Sequence, residues 1–231
     1  MYKLIYSIQN TMFKKNLNLI SSIFKGHSLL RAYQINECKN IKLKGNSIEF
    51  GAYKNKKKNF NNFFKGSSYC KLSNIYNHNH ANYIKLDLTK KFRLKKNTFN
   101  NVIVFNVLEH LPDTKNVFKE IKNILKKDGL LIGSTPFIYQ IHGAPNDYFR
   151  FTKDFFYAHL KKKFKKIYIK QLGHGPFIAS FSLIGSYLRF LPILRELIFV
   201  AAYFLDSFIQ IFVKTKLNEI YPVGFFFIIK K

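Results

Sequence analysis

The chain has 231 residues, with 39 Lys and Arg against 12 Asp and Glu, and a formal net charge of +27 at pH 7. That length suits one domain with a real core, and a hydrophobic fraction of 47% with 26 Phe and 14 Tyr excludes a disordered polar chain. The two cysteines, Cys38 and Cys70, form no CxxC pair, which excludes a disulfide scaffold and points to a reducing compartment. Residues 1–45 set apolar clusters (Leu17, Leu19, Ile20, Ile23, Phe24) among Lys and Asn and read as a helical lead-in. Ser47–Gly51 (SIEFG) reads as a strand ending in a glycine, and the run after it places Phe60, Phe63 and Phe64 at helical spacing. Tyr69–Leu72 and Tyr83–Leu86 are further strands around the polar loop NIYNHNH. Asn101–Phe105 is a strand, Val117–Lys126 a helix, and Leu130–Ser134 a strand that follows a Lys-Asp-Gly turn. Asp154–Leu160 reads as a helix and Lys166–Lys170 as a strand. This order predicts an open α/β sheet of Rossmann-like type, mostly parallel, over residues 46–231.

Residues 177–213 are nearly continuously apolar, broken by Arg189, Pro192, Arg195, Glu196 and Asp206. Leu197–Val213 is just at the lower limit of length for spanning a bilayer, and Asp206 lies inside it. Three readings stay open: a bilayer span, a helical hairpin lying in the membrane interface, or a helical layer or oligomer contact packed on the sheet. The charge would draw any polyanion, whether an anionic membrane, a phosphorylated substrate or nucleic acid. The same amino-acid bias that enriches Lys, Asn, Ile, Phe and Tyr explains many of the lysines, but not the shortage of acids. No apolar run of signal-peptide length precedes a small-residue cleavage site, so the cytoplasm is expected, with peripheral attachment to the membrane's inner face.

The chemistry concentrates in Asn101–Thr152, NVIVFNVLEHLPDTKNVFKEIKNILKKDGLLIGSTPFIYQIHGAPNDYFRFT. Strand, helix and strand in that order form a crossover unit, whose ligands sit at the carboxyl ends of the strands. Those ends carry Asn106, Glu109 and His110 after one strand and His142, Asp147, Tyr148 and Arg150 after the next. A histidine can take a proton from a hydroxyl or amine near neutral pH. An arginine can hold a carboxylate or phosphate with two parallel bonds. Structural readings compete: Asp113 as a helix N-cap, Glu109–His110 as a capping turn, and an Asp147–Arg150 pair that locks the loop. No phosphate loop GxxxxGK[ST], no HExxH and no GxSxG elbow is present. His78 and His80 lack an acid or thiolate at supporting spacing, so no metal is expected.

The Val-Leu-Glu-His-Leu-Pro-Asp run resembles the post-strand-four region of class I S-adenosylmethionine-dependent methyltransferases. The 142–152 segment, His-Gly-Ala-Pro-Asn-Asp-Tyr-Phe-Arg-Phe-Thr, is similar to one found in a methyltransferase type 11-like subgroup associated with surface-polysaccharide synthesis. The resemblance covers roughly residues 40–170 and the final strand in PVGFFFIIKK. It implies a seven-stranded sheet with an antiparallel last strand, and makes 177–213 an insertion before it. It implies S-adenosylmethionine as cofactor, bound along Glu49, Gly51, Ser73, Asp87, Asn106, Glu109 and His110. Asp87 would meet the adenine, and Ser73 stands where the family places a ribose-binding acid. Tyr53 replaces the family's second glycine. For the acceptor it implies a small or lipid-linked saccharide, with His142 as base, Arg150 as anion holder, and Asp147 and Tyr148 beside them. Two rivals remain: a catalytically degenerate scaffold, suggested by Tyr53 and Ser73, and a nucleic-acid methyltransferase. The second lacks an Asn/Asp-Pro-Pro-Tyr motif after strand four, so nucleic acid is the lesser expectation.

Overall fold

A computed structural model describes residues 19–66, 69–76, 81–143 and 146–231. Leu17, His78 and His80 lie outside the described residues. By contacts the chain divides into two compact units, Cys38–Gln171 with Gly224–Lys231, and the segment up to Glu37 with Leu172–Val223. The first holds the sheet. Relative to the sequence reading, residues 38–45 join the sheet unit, and the helical segment runs past 177–213 at both ends.

The sheet contains β1 (Ser47–Phe50), β2 (Cys70–Asn74), β3 (Tyr83–Lys85), β4 (Phe99–Phe105), β5 (Leu125–Pro136), β6 (Lys166–Leu172) and β7 (Gly224–Lys230), in the spatial order β3-β2-β1-β4-β5-β7-β6. β1 pairs in parallel with β2 and β4, β2 with β3 and β4 with β5, whereas β5 pairs antiparallel with β7. All four residues of β1 are buried, as are the last five of β4, so these strands read as apolar runs covered on both faces. Strand order reverses between β1 and β4, which makes their carboxyl ends the switch point where such sheets bind ligands.

Among the described residues, one long helix connects strands in the first half of this unit. α2 (Thr114–Ile124; α1, Leu29–Cys38, precedes the sheet) buries Val117, Phe118, Ile121 and Ile124, the apolar stripe of an amphipathic helix. Asp113 caps it, accepting from the Asn116 N–H at 3.0 Å. The stripe packs into a core with Ile48, Val102, Val104, Leu131 and Phe227 from both directions of strand. α3 (Lys153–Leu160) adds Phe156 and Leu160 to the same core.

Two sequence expectations change. The aromatic run after β1 forms two 3-10 turns, Lys56–Lys58 and Phe60–Phe63, in place of an α-helix, and Phe60 stacks on Phe105 at 4.0 Å between ring centroids. Asn55 and Asn59 interrupt it: both are extended and cap or end a turn. The Lys-Asp-Gly turn before Leu130 is a bulge inside β5, where the register against β4 jumps from Phe99↔Leu125 to Asn101↔Leu130 and Asp128 takes φ +63°. Between β3 and β4 the chain forms no helix among the described residues.

The other unit contains α4 (Pro176–Ile184), a 3-10 turn at Tyr187–Phe190, α5 (Pro192–Phe212) and α6 (Leu217–Ile220). Proline opens both long helices, where its missing N–H costs nothing. Asp206, wholly buried on α5, accepts from the Phe177 and Ile178 N–H groups at 3.0 and 2.9 Å and so caps α4. Arg195, also buried, donates to the carbonyls of Ile23 and His27 at 3.0 and 2.7 Å. The polarity of α5 is therefore inverted. Its inner face carries Arg195, Glu196, Phe199, Ala202 and Asp206, while Ile193 (77% exposed), Phe204 (68%), Phe208 (61%) and Ile211 (76%) face outward. No helix among the described residues is long and apolar enough to cross a membrane, which removes the span reading of 177–213.

Candidate functional site

The β1 end is shaped by one glycine. Gly51 takes φ +67°, and a Cβ there would lie 2.4 Å from Val107 Cγ2, so both conformation and space demand glycine. At the end of β4, Asn106 also adopts a left-handed conformation, φ +53°, which asparagine tolerates better than most residues. Its N–H donates to the Ser134 carbonyl at 2.9 Å, holding the turn against β5.

Several expected cofactor contacts are engaged by the protein itself. Glu49 is buried, and its carboxylate accepts the N–H groups of Phe60 and Asn61 at 2.8 Å each, so it caps the second 3-10 turn. The Ser73 hydroxyl is buried and donates to the Glu49 carbonyl at 3.2 Å, across the β1–β2 pair. Asn74 donates to the Ala52 carbonyl at 2.9 Å, and Tyr83 donates its hydroxyl to the Tyr53 carbonyl. These groups build the loop after β1, and the loop's backbone is what they leave toward the switch point. Asp87 forms a local turn with Thr89, accepting from its N–H at 3.0 Å and its hydroxyl at 2.6 Å. The Thr89 hydroxyl holds the Asp87 carboxyl below its ordinary pKa. Asp87 lines a cleft of about 720 Å³ with Lys85, Lys90, Lys91, Phe92 and Arg93.

Two motifs far apart in sequence meet beyond β4 and β5. Leu108–His110 forms a 3-10 turn, and the Tyr148 N–H donates to the Glu109 carbonyl at 2.8 Å, fastening the 141–152 loop to that turn. His110 Nδ1 lies 2.6 Å from the Asn146 carbonyl. A carbonyl only accepts, so Nδ1 carries the proton and Nε2 keeps its lone pair. That Nε2 lies 3.8 Å from Glu109 Oε1, and the His110 and His142 rings meet edge to face at 4.9 Å. Glu109 is fully buried, and neither of its carboxyl oxygens has a hydrogen-bond partner. Burial pushes its pKa up to about 8, and burial likewise lowers that of His110.

The rest of the loop is self-braced. Arg150 forks onto Asp147, with Nη1–Oδ1 at 2.5 Å and Nη2–Oδ2 at 2.7 Å, and also donates to the Gln140 and Phe149 carbonyls. The guanidinium holds the Asp147 carboxyl well below the usual carboxylate range. Asp147 Oδ2 also accepts the His142 N–H at 2.9 Å and lies 3.4 Å from His142 Nδ1. Arg150 and Asp147 thus position the loop. His142 is the half-exposed ring that reaches outward, and Tyr148 is exposed, its hydroxyl accepting from Asn146 Nδ2 at 2.9 Å. One ligand atom each from Glu109, His110 and His142 lies within 4.8 Å of the other two, a juxtaposition the sequence reading missed when it weighed only His78 and His80 for a metal.

A family model described as a methyltransferase domain matches residues 54–133, which run from the loop after β1 into β5. No curated protein matches the chain. Among solved structures, an S-adenosylmethionine-dependent methyltransferase from Archaeoglobus fulgidus aligns with TM-score 0.54 and 12% identity, over 98% of this chain and 99% of that one. One from Mesorhizobium loti aligns with TM-score 0.53 and 13% identity, over 90% of this chain and 100% of that one. Phosphoethanolamine N-methyltransferase 2 from Haemonchus contortus, solved with S-adenosyl-L-methionine, aligns with TM-score 0.51 and 15% identity, over 85% of this chain and 51% of that one. At such identities the likeness is one of fold. The strand order and these alignments give the chain the class I methyltransferase fold, and residues 54–133 carry the match to a methyltransferase domain.

Proposed function

We propose that the protein moves a methyl group from S-adenosylmethionine to a small or lipid-linked saccharide at the surface of an anionic membrane. The observation that carries the cofactor half is Gly51: its left-handed backbone, packed against Val107, turns the chain at the β1 end beside β4, the switch point where such sheets bind ligands. Gly51 and Asn106 would hold the methionine side and Asp87 the adenine side. When bound, the cofactor supplies a methyl group already activated by its sulfonium sulfur. The protein's own work is to orient the acceptor, exclude water and receive the acceptor's proton. That proton falls to the Glu109–His110–His142 cluster, held in place by the Arg150–Asp147 fork. The saccharide assignment rests on the resemblance of residues 142–152.

The membrane half is supported by the inverted polarity of α5. Outward Ile193, Leu197, Phe204, Phe208 and Ile211 are flanked in sequence by the exposed cations Arg189, Lys214 and Lys216, with Glu219 an exposed acid beyond them. Each large apolar side chain moved out of water is worth about 1.5–3 kcal/mol, and each nearby cation adds roughly 1 kcal/mol on an anionic surface.

Calorimetry with S-adenosylmethionine and S-adenosylhomocysteine tests the first half. Saturable binding is expected, kept in His142→Ala while turnover is lost; absence of binding to folded protein would favour a degenerate scaffold. Flotation with vesicles of phosphatidylglycerol tests the second. Co-flotation should fall at least tenfold in Phe204→Ser/Phe208→Ser/Ile211→Ser, and salt-sensitive RNA binding without flotation would replace the membrane reading by nucleic acid.

A further inference from the structure

We propose that Glu109, His110 and His142 hold a divalent cation of the zinc class, which binds the acceptor's hydroxyl through an open coordination position. The inference rests on the methyl-transfer reading for its purpose, but on geometry for its existence.

A carboxylate with no hydrogen-bond partner is costly in a buried place, and a buried acid is normally paired or bound to a metal. Glu109 is such a group: fully buried, with both oxygens unpartnered. The ring beside it is prepared as a ligand. His110 donates Nδ1–H to the Asn146 carbonyl at 2.6 Å, the outer bond that fixes tautomer and orientation in metal-bound histidines. Its lone pair at Nε2 is left 3.8 Å from Glu109 Oε1. A proton bridges two such atoms poorly at that range, whereas a cation between them would satisfy both. His142 completes two nitrogens and one carboxylate oxygen, the donor set of open, three-ligand zinc sites. Ligand bonds of about 2.1 Å would set the donor atoms roughly 3.4 Å apart in a tetrahedron. The present spread, within 4.8 Å, would contract by about 1.4 Å on binding.

Charge agrees. Arg150 and Asp147 cancel in their fork, the two imidazoles are neutral as ligands, and Glu109 supplies one negative charge. A dication therefore leaves the site at +1, matched to an alkoxide. With both imidazole lone pairs on the metal, neither ring takes the acceptor's proton as it would in the metal-free reading; the O–H, acidified by the cation, would release it to solvent water, and the oxygen would form its bond to the methyl carbon. The C–S bond breaks, and the sulfur keeps the electron pair as neutral S-adenosylhomocysteine. The fork around Asp147 then has a purpose: it fixes His142 within reach of a turn more than thirty residues upstream.

The test uses the tag-free full chain, freed of metal by dialysis against a chelator, and titrated calorimetrically with Zn²⁺ alone. One-to-one binding is expected, weakened at least a hundredfold in His142→Ala and in Glu109→Gln, with Co²⁺ giving visible absorption of tetrahedral type in the wild-type chain. His78→Ala/His80→Ala should bind as the wild type does. No binding to folded chain, or binding that survives His142→Ala and disappears with His78→Ala/His80→Ala, overturns the proposal. Glu109→Gln keeps the size of a buried side chain whose oxygens have no hydrogen-bond partner, so circular dichroism should show it folded; if it is not, His142→Ala, whose ring is half-exposed, decides alone. None of these readouts needs S-adenosylmethionine, so failure here leaves the cofactor test untouched.

Discussion

Gly51 and Val107 meet where β1 and β4 end, so closely that a single methyl group on Gly51 would stand 2.4 Å from Val107 Cγ2. The floor of the switch point is thus a fit between one missing side chain and one present. Gly51→Ala should cost about 1–3 kcal/mol, from the left-handed backbone and the clash together. Val107→Ala relieves only the clash, so the double variant should recover part of the loss. Urea melts of the four chains measure both contributions; equal stability of Gly51→Ala and wild type would show that the turn does not require glycine.

Asp206 is the device that joins α4 to α5. Its carboxylate accepts two helix-end N–H groups while fully buried. Asp206→Ala should lower stability by roughly 2–4 kcal/mol, since two buried donors lose a charged acceptor. Asp206→Asn keeps one acceptor oxygen and should fall between. Thermal melts in mild detergent would rank the three, and an unchanged Asp206→Ala would mean that water caps α4 instead.

Stability contributed by Asp147 depends on acid in a definite direction. Its folded pKa is depressed by Arg150, so the contribution is full above the ordinary carboxyl value near 3.9 and is lost as pH falls through the folded value. Arg150→Gln should therefore be less stable than wild type by about 1–3 kcal/mol at pH 7, and the gap should narrow below pH ~4. Paired urea melts at pH 7 and pH 3 supply the comparison. A gap independent of pH would assign the loss to the Gln140 and Phe149 carbonyls.

Cys70 offers a reactivity check on the β1–β2 pair. Burial, then the Glu49 carboxylate, push its pKa up to about 12. At pH 8 the thiol stays protonated, so alkylation by iodoacetamide should run at least tenfold slower than in the urea-unfolded chain. Glu49→Gln removes the charge and loosens the turn it caps, and Cys70 should then react faster. Rapid labelling of the native wild type would show β2 to be open.

The sheet was legible because its strands are runs of apolar and β-branched residues, as in NVIVF, LLIGS and GFFFIIK, and α2 because its apolar spacing and Asp113 cap agree. The aromatic turn after β1 was misread because phenylalanines at helical spacing say nothing of Glu49, whose carboxylate folds the backbone around itself. Glu49 was placed on its strand and Ser73 one residue past a strand that in fact runs on to Asn74, yet a side chain's partner is a tertiary fact that spacing cannot give. Each half of the Glu109–His142 cluster stood out by motif; the Tyr148–Glu109 backbone bond and the bond from His110 to the Asn146 carbonyl, which spacing cannot give, bring them together. In 177–213 composition showed apolarity, but not that the charges point inward.

The antiparallel partner of β5 has a consequence for how the chain is made. β5 ends at Pro136 and its neighbour begins at Gly224, so a ribosome must deliver the whole helical segment before the middle of the sheet can close. Until then β5 presents a bare edge of unpaired N–H and C=O groups, beside a run of Leu and Ile. Nascent chains at that stage are the ones exposed to wrong pairing and in need of chaperones. Soluble yield should thus respond to translation speed and growth temperature more than to any single residue of the site.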